Sequence, residues 1–480
     1  MSQTTSVTRS FGFFMNGNWS THGREAVITS PYDHSVLAVI SEAGRDDVET
    51  AIESAVQAFA VTRKMASHQR ATVLRKIADG LVARREEFAR TICQEAAKPI
   101  KTARLEVERT INTFQIAAEE ATRIYGEYIP LDTLEATAGR WGLVRRVPLG
   151  PVFAITPFNF PLNLVAHKVA PAIAAGCPII LKPAPQTPIS SLLLAEVVQE
   201  AELPEGALAV MPLSNDDAAL LVADDRIKLL TFTGSAAVGW KLKSQAGKKR
   251  VTLELGGNAA VIVHSDVDLQ YAAHRCVAGG FSYAGQTCIS VQRILVHRPA
   301  FDKFTKLLLE GVSKLKLGDP MDENTDVPPL IREQDAVRVV EWIDEAVNAG
   351  AKLLCGGKRK GAMVEPAVLT DTTPNMKVNY AEIFGPVVTV EAYENFEEAL
   401  GSANHSTYGL QAGVMTRDAT LIQAAFEELE VGSVIVGDVP SFRVDQMPYG
   451  GVKDSGLGRE GPRYAIEDMT ERKLLVMAMK

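Results

Sequence analysis

From Val147 onward the chain alternates short apolar runs with helical stretches, and this alternation restricts the fold more than any other feature. Apolar runs lie at Val147–Thr156, Pro178–Leu181, Ala207–Met211, Ile227–Phe232 and Val251–Leu255. Helical stretches lie between them, near Leu162–Ala175, Ile189–Ala201, Asp216–Ala223 and Ala236–Gly247. Strands alternating with helices predict a parallel sheet covered on both faces, an α/β fold. Ligands in such sheets bind at the carboxyl ends of the strands. A second alternating region begins at Ala259–Val263. Helices near Val267–Phe281 and Phe301–Lys314, and strands near Ile294–Val296, Val387–Tyr393 and Ser433–Val436, predict another α/β domain.

The segment before Val147 reads differently. Asn16-Gly17 between apolar residues signals a tight hairpin. Asp46–Ala60 and Ser67–Lys98 have helical periodicity, Pro99 closes the second of them, and a third helix covers Thr102–Tyr125. Tyr125–Trp141 is a projecting hairpin or a linker. The last segment, Arg472–Met479, is apolar and extended, suited to pairing with a strand of another subunit.

Composition removes several functions. The formal net charge is −8 with no dense Lys/Arg block, which argues against nucleic acid as the main partner. The start has no signal-peptide pattern, and no run of about 18 apolar residues suggests a membrane span. Five widely spaced cysteines without a CxxC indicate neither a disulfide framework nor a zinc cluster, so a cytoplasmic location is expected. The histidines form no HExxH, so no metal is expected.

Some residues carry chemistry. Val277–Arg293 holds Cys288 after Gly279, Gly280 and Gly285. Small residues let the backbone expose a thiol and a substrate approach closely. A buried structural cysteine fits the same stretch. Phe232–Gly239, FTGSAAVG, follows a strand and opens a helix. Gly234 allows a tight turn, and the helix amides can face a pyrophosphate; a plain helix-packing turn is the alternative. Lys182, at another strand end, adds a cation for a ribose or phosphate oxygen. Asn159 in TPFNFP offers an amide to an oxyanion or caps a turn. Glu254 in LELGG is a general base or a salt-bridged structural carboxylate.

TPFNFP, LKPAPQTP, FTGSAAVG, LELGGN, GQTC, EIFGPV and PYGGVKDSGLGREG occur in order across Pro148–Gly461. This series resembles the aldehyde dehydrogenase superfamily. The general look is similar to its lactaldehyde, succinate-semialdehyde and non-phosphorylating glyceraldehyde-3-phosphate branch. The resemblance implies a Rossmann-like cofactor domain (1–124 and 143–254), an α/β catalytic domain (255–455) and a β oligomerisation element (125–142 and 456–480). It implies a homodimer or homotetramer. It makes Cys288 the nucleophile, Asn159 with the Cys288 backbone amide the oxyanion hole, and Glu254 the base that activates the deacylating water. It places Thr156, Pro157, Lys182, Ala184, Pro185, Phe232, Gly234, Ser235, Gly256, Glu382 and Phe384 on NAD or NADP. Branches that transfer the acyl group to coenzyme A commonly lack the glutamate, so water is the expected acceptor.

The chain departs from the family at two places. Pro185 stands where many NAD-preferring members carry a ribose-binding glutamate, so NADP is expected to be accepted and even preferred. Arg226 is either a partner for its 2′-phosphate or an ordinary surface arginine. Arg443, before the PYGG motif, stands where enzymes for apolar aldehydes often place an aromatic. An arginine there can hold a carboxylate or phosphate in a bidentate pair. Arg109 is a second funnel arginine or a helix-surface partner of Glu106 or Glu108, and Phe160 lines the same funnel. The expected substrate is a small anionic aldehyde, succinate semialdehyde first, with lactaldehyde, glyceraldehyde 3-phosphate and phosphonoacetaldehyde as alternatives. A non-redox cysteine esterase and a non-catalytic binding protein are the competing classes.

Overall fold

The computed structural model describes residues 9–478. Residues 1–8 and 479–480, including Met479 of the expected last strand, lie outside the described residues.

Five parallel strands form the middle of the first sheet. In spatial order they are Arg250–Glu254, Leu229–Thr233, Val152–Ile155, Ile179–Lys182 and Leu208–Val210. Val152, Ala154, Ile179 and Leu181 enter one apolar core, while Phe153 and Ile180 enter the core on the opposite face. Burial on both faces explains why these strands read as unbroken apolar runs. The order reverses between Val152–Ile155 and Leu229–Thr233, so the loops leaving these two strands diverge and open a crevice. The hairpin Phe13–Met15/Asn18–Ser20 extends one edge. Its turn residues Asn16 and Gly17 both have positive φ, 52° and 74°, as a twisted two-residue hairpin demands.

The second sheet runs Lys352–Cys355, Ala367–Thr370, Val387–Tyr393, Val291–His297, Ala259–Val263, Gln411–Met415 and Ser433–Val436. Every pairing is parallel except that of Lys352–Cys355. The helix Glu333–Asn348 and the strand Gln411–Met415 were not expected from the sequence.

Two sequence expectations are corrected by backbone chemistry. Ser67–Lys98 is two helices, Ser67–Ala83 and Arg85–Ala96, separated at Arg84. Ala97 ends the second in the left-handed region, and Pro99 caps the start of the next helix, Ile100–Glu120, instead of closing the previous one. The run Val147–Thr156 is split between the strands Arg140–Pro148 and Val152–Ile155. Between them Gly150 has φ 139°, where a Cβ would lie 2.6 Å from the Lys228 side chain.

Tyr125–Trp141 is the hairpin, not a linker. Glu127–Pro130 pairs with Arg140–Pro148, which runs past the expected boundary at 142/143 because Thr470–Ala478 pairs along its whole length. One edge of Thr470–Ala478 is therefore taken by its own chain; the other pairs with no strand among the described residues, and Leu474, Leu475 and Val476 are exposed. Gly456–Leu457 returns to the first sheet beside Arg250–Glu254, and the helix Pro462–Asp468 packs on Asn163–Ala175. Among the described residues no helix is long and apolar enough to cross a membrane.

Candidate active site

Carboxyl ends of the first sheet meet amino ends of the second. Asn159 follows Val152–Ile155, Gly234 and Ser235 follow Leu229–Thr233, and Glu254 ends its own strand. Opposite them, Gly256 precedes Ala259–Val263, Cys288 precedes Val291–His297, and Glu382 and Phe384 precede Val387–Tyr393. These residues line one cavity of about 500 Å³, together with Pro157, Phe160, Arg109 and Arg443.

The loop bearing the thiol is tightly bent. The helix Leu269–Phe281 gives way to Tyr283, Ala284 and Gly285, all with positive φ. For the two non-glycine residues this costs about 1–2 kcal/mol each. Neighbours hold the bend. The Tyr283 hydroxyl donates to the Ala96 carbonyl at 2.7 Å, and Gln286 accepts from the Ile331 amide at 3.0 Å. A Cβ on Gly285 would lie 2.2 Å from the Gly385 carbonyl oxygen, and one on Gly257 would lie 2.4 Å from that of Cys288. Gly279 and Gly280 differ from expectation. They sit in the helix and let it close onto Val291 and Val388, so they serve packing and not substrate approach.

Asn159 is buried, and its amide donates to the Gln286 carbonyl at 3.0 Å, tying the TPFNFP loop to the cysteine loop. It caps no turn. Cys288 is half-buried, and its Sγ lies 2.9 Å from the Tyr449 hydroxyl. Burial pushes the thiol up to about 11, against the hydrogen bond from Tyr449 and the charge of Arg443. Glu254 is buried, and among the described residues neither of its oxygens has a partner, so it forms no structural salt bridge with them. Burial, and then the nearby negative charge of Glu460, holds its carboxyl well above the usual range.

Glu382 accepts from the Gly257 amide at 3.0 Å and lies against Gly256, where a Cβ would sit 2.3 Å from its Oε2. Burial raises it to about 7. Phe384, at φ 49°, meets Phe158 edge-on. Ser235 stands at the N-terminus of the helix Ala236–Gln245. The glycine turn, the helix amides and the Glu382 carboxyl lining the same cavity fit a dinucleotide.

Thr156, Lys182, Ala184, Pro185 and Phe232 do not line the cavity with Cys288. Lys182 is buried at its strand end, and that burial lowers its pKa. Pro185 is exposed on a separate hollow beside Thr29, Ser30 and Arg332. The Phe232 ring packs beneath Gly234, where a Cβ would come within 2.6 Å of it. Arg226 takes the second of its two readings, an ordinary surface arginine. It precedes Leu229–Thr233, at the opposite end of that strand from Gly234, and is paired with Glu49 and Asp224.

Arg109 pairs with neither Glu106 nor Glu108. Its partner is Asp445, at 2.8 Å, which also accepts from His167 and Asn163. The Arg443 side chain is buried, with Nη2 donating to Glu460 at 3.0 Å, its face 3.6 Å from the Tyr449 ring centroid, and Nε without a partner among the described residues. Sequence reasoning missed Tyr449, Asp445, Glu460, His167 and Lys168. Two signals were present: the polar His167-Lys168 pair inside an otherwise apolar helix, and the hydroxyl in PYGG.

The aldehyde dehydrogenase family model matches residues 19–475. The chain belongs to the aldehyde dehydrogenase family. Like its relatives, this aldehyde dehydrogenase oxidises an aldehyde with NAD or NADP as acceptor. It is 46% identical to a 3-sulfolactaldehyde dehydrogenase of Priestia aryabhattai, over 98% of this chain and 99% of the relative. Aldehyde dehydrogenase 21 from Physcomitrella patens, solved with the reaction product succinate, superposes with a TM-score of 0.97. It is 46% identical, covering 98% of this chain and 99% of the other. The glyceraldehyde-3-phosphate dehydrogenase GapN from Methanocaldococcus jannaschii, solved with NADP, has a TM-score of 0.92 and is 38% identical. That match covers 95% of this chain and all (100%) of the other.

Proposed function

We propose that this aldehyde dehydrogenase oxidises a three- or four-carbon aldehyde with an anionic end to the corresponding acid. One observation carries the reading: the Arg443 guanidinium lines the same cavity as Cys288. Its charge and planar fork offer a substrate carboxylate or sulfonate a pairing site within that cavity. Arg109 is the weaker candidate, since Asp445 already holds it in a bidentate pair. Succinate semialdehyde was the first expectation. Similarity to a 3-sulfolactaldehyde dehydrogenase supports a sulfonate equally.

The steps follow from the residues. Cys288, as thiolate, attacks the aldehyde carbon. Asn159 and the Cys288 backbone amide receive the oxyanion. NAD or NADP, when bound, accepts the hydride; Lys182, Gly234, Ser235 and Glu382 would hold it. Glu254 then deprotonates the water that frees the acid from Cys288. With proline at position 185, NADP meets no carboxylate from that position beside its 2′-phosphate. Thr470–Ala478 and its hairpin form the subunit contact of a dimer or tetramer.

The test is absorbance of reduced nicotinamide with succinate semialdehyde, 3-sulfolactaldehyde and lactaldehyde, each with NAD and NADP. The anionic aldehydes should exceed lactaldehyde in kcat/KM by at least about tenfold, the value of one charged hydrogen bond. Equal values would overturn the substrate reading.

A further inference from the structure

We propose that the Tyr449 hydroxyl is a catalytic group that donates a hydrogen bond to the Cys288 thiolate and holds it for attack. Arg443, stacked on the ring, strengthens that donor. The inference rests on Cys288 being the nucleophile.

Geometry carries it. The Tyr449 oxygen is 2.9 Å from Cys288 Sγ, within the range for a bond to sulfur. In the resting thiol either atom can donate. A thiolate has no proton and can only accept, so in the reactive state the donor must be Tyr449. The ring cannot turn away. It is buried, and it packs with Ile289 and Leu410. Its backbone amide donates to the Glu460 carbonyl at 3.1 Å, and the Glu460 amide donates back at 2.6 Å. The hydroxyl has no other partner among the described residues.

The other face of the ring is set equally firmly. The Arg443 guanidinium carbon lies 3.6 Å from the ring centroid. A cation over an aromatic face withdraws electron density and makes the phenol a better donor. Tyr449 itself stays protonated, because burial, Cys288 and Glu254 hold its pKa well above the ordinary value against the pull of Arg443. It therefore stabilises the negative sulfur without giving up its proton. The thiol proton leaves to water before the aldehyde binds. In the attack the sulfur–carbon bond forms and the carbonyl π pair moves to oxygen, with no change in Tyr449.

The direction of the effect is defined. Burial raises the Cys288 pKa, and the Tyr449 hydrogen bond opposes that rise. Removing the hydroxyl should raise the thiol pKa by about one unit or more, the scale of a hydrogen bond to a charged group. At neutral pH each unit lowers the thiolate fraction about tenfold.

The experiment is the pH dependence of Cys288 alkylation by iodoacetamide, followed on the Cys288 peptide by mass spectrometry. Native enzyme is compared with Tyr449→Phe and with 3-fluorotyrosine at position 449. The Phe variant should show a midpoint raised by about one unit and a first-turnover rate lowered about tenfold at neutral pH, recovered at high pH. Fluorination makes the phenol a stronger donor and should move the midpoint down. A purely structural role predicts a midpoint that does not move. Cys288→Ala separates the two readings: turnover in that variant would sink the nucleophile. A dead Cys288→Ala with an unmoved midpoint in both Tyr449 variants would overturn only the role of Tyr449.

Discussion

Arg443 and Glu460 are joined by a 3.0 Å ion pair inside the protein, where both side chains are buried. Glu460 also accepts from Lys168 at 3.1 Å. Two cations hold its carboxyl down at about 2, so it stays charged. That fixed negative charge is the second cause, after burial, of the raised Glu254 pKa.

Glu460→Gln should therefore make Glu254 more acidic. The negative neighbour is gone, and Lys168 and Arg443 are left uncompensated; both changes favour the Glu254 carboxylate. A general base works only when deprotonated, so kcat rises with pH through its pKa. The rising limb of the kcat–pH profile should move to lower pH by about one unit. An unmoved limb would show that the two carboxyls do not interact during turnover.

Glu254→Gln should separate acylation from hydrolysis. The first turnover of reduced nicotinamide needs only the thiolate and the oxyanion donors. Stopped-flow should show an intact burst, while the steady-state rate falls by about 10²–10⁴-fold. Loss of the burst would place Glu254 in the first half-reaction.

Arg443→Ala should discriminate between substrates. KM for succinate semialdehyde or 3-sulfolactaldehyde should rise about 10- to 100-fold more than KM for a neutral aldehyde of similar length. Turnover should fall for both, because the cation over Tyr449 is lost. Parallel KM changes would count against an anion at Arg443.

Pro185→Glu should turn the enzyme toward NAD. A carboxylate there repels a 2′-phosphate and accepts from a ribose diol. The kcat/KM for NADP should fall at least about tenfold while that for NAD does not. An unchanged ratio would show that position 185 is remote from the ribose.

Much of the architecture was legible because it depends on local periodicity. Ala259–Val263, Val387–Tyr393 and Ser433–Val436 were read with their observed boundaries. Gln411–Met415 was missed because QAGVM is too short and too mixed to carry a period. The break at Arg84 was missed because the apolar spacing continues across it. Cys288, Asn159 and Glu254 were legible from motif order and were found lining one cavity. Their supporting partners were not. Arg109 sits three residues from Glu106 and one from Glu108, yet bonds Asp445, which is 336 positions away.

The sequence by itself determined the parallel core of two sheets, the strand ends that carry chemistry, and the family. Backbone hydrogen bonding and side-chain alternation are local, so their patterns are written along the chain. Only the tertiary structure decided that the Tyr449 hydroxyl meets the thiol, that Arg443 lies over its ring, and that Arg226 is paired with Glu49. Those facts depend on how far the chain travels before it returns. Packing sets that distance, and no local pattern encodes it.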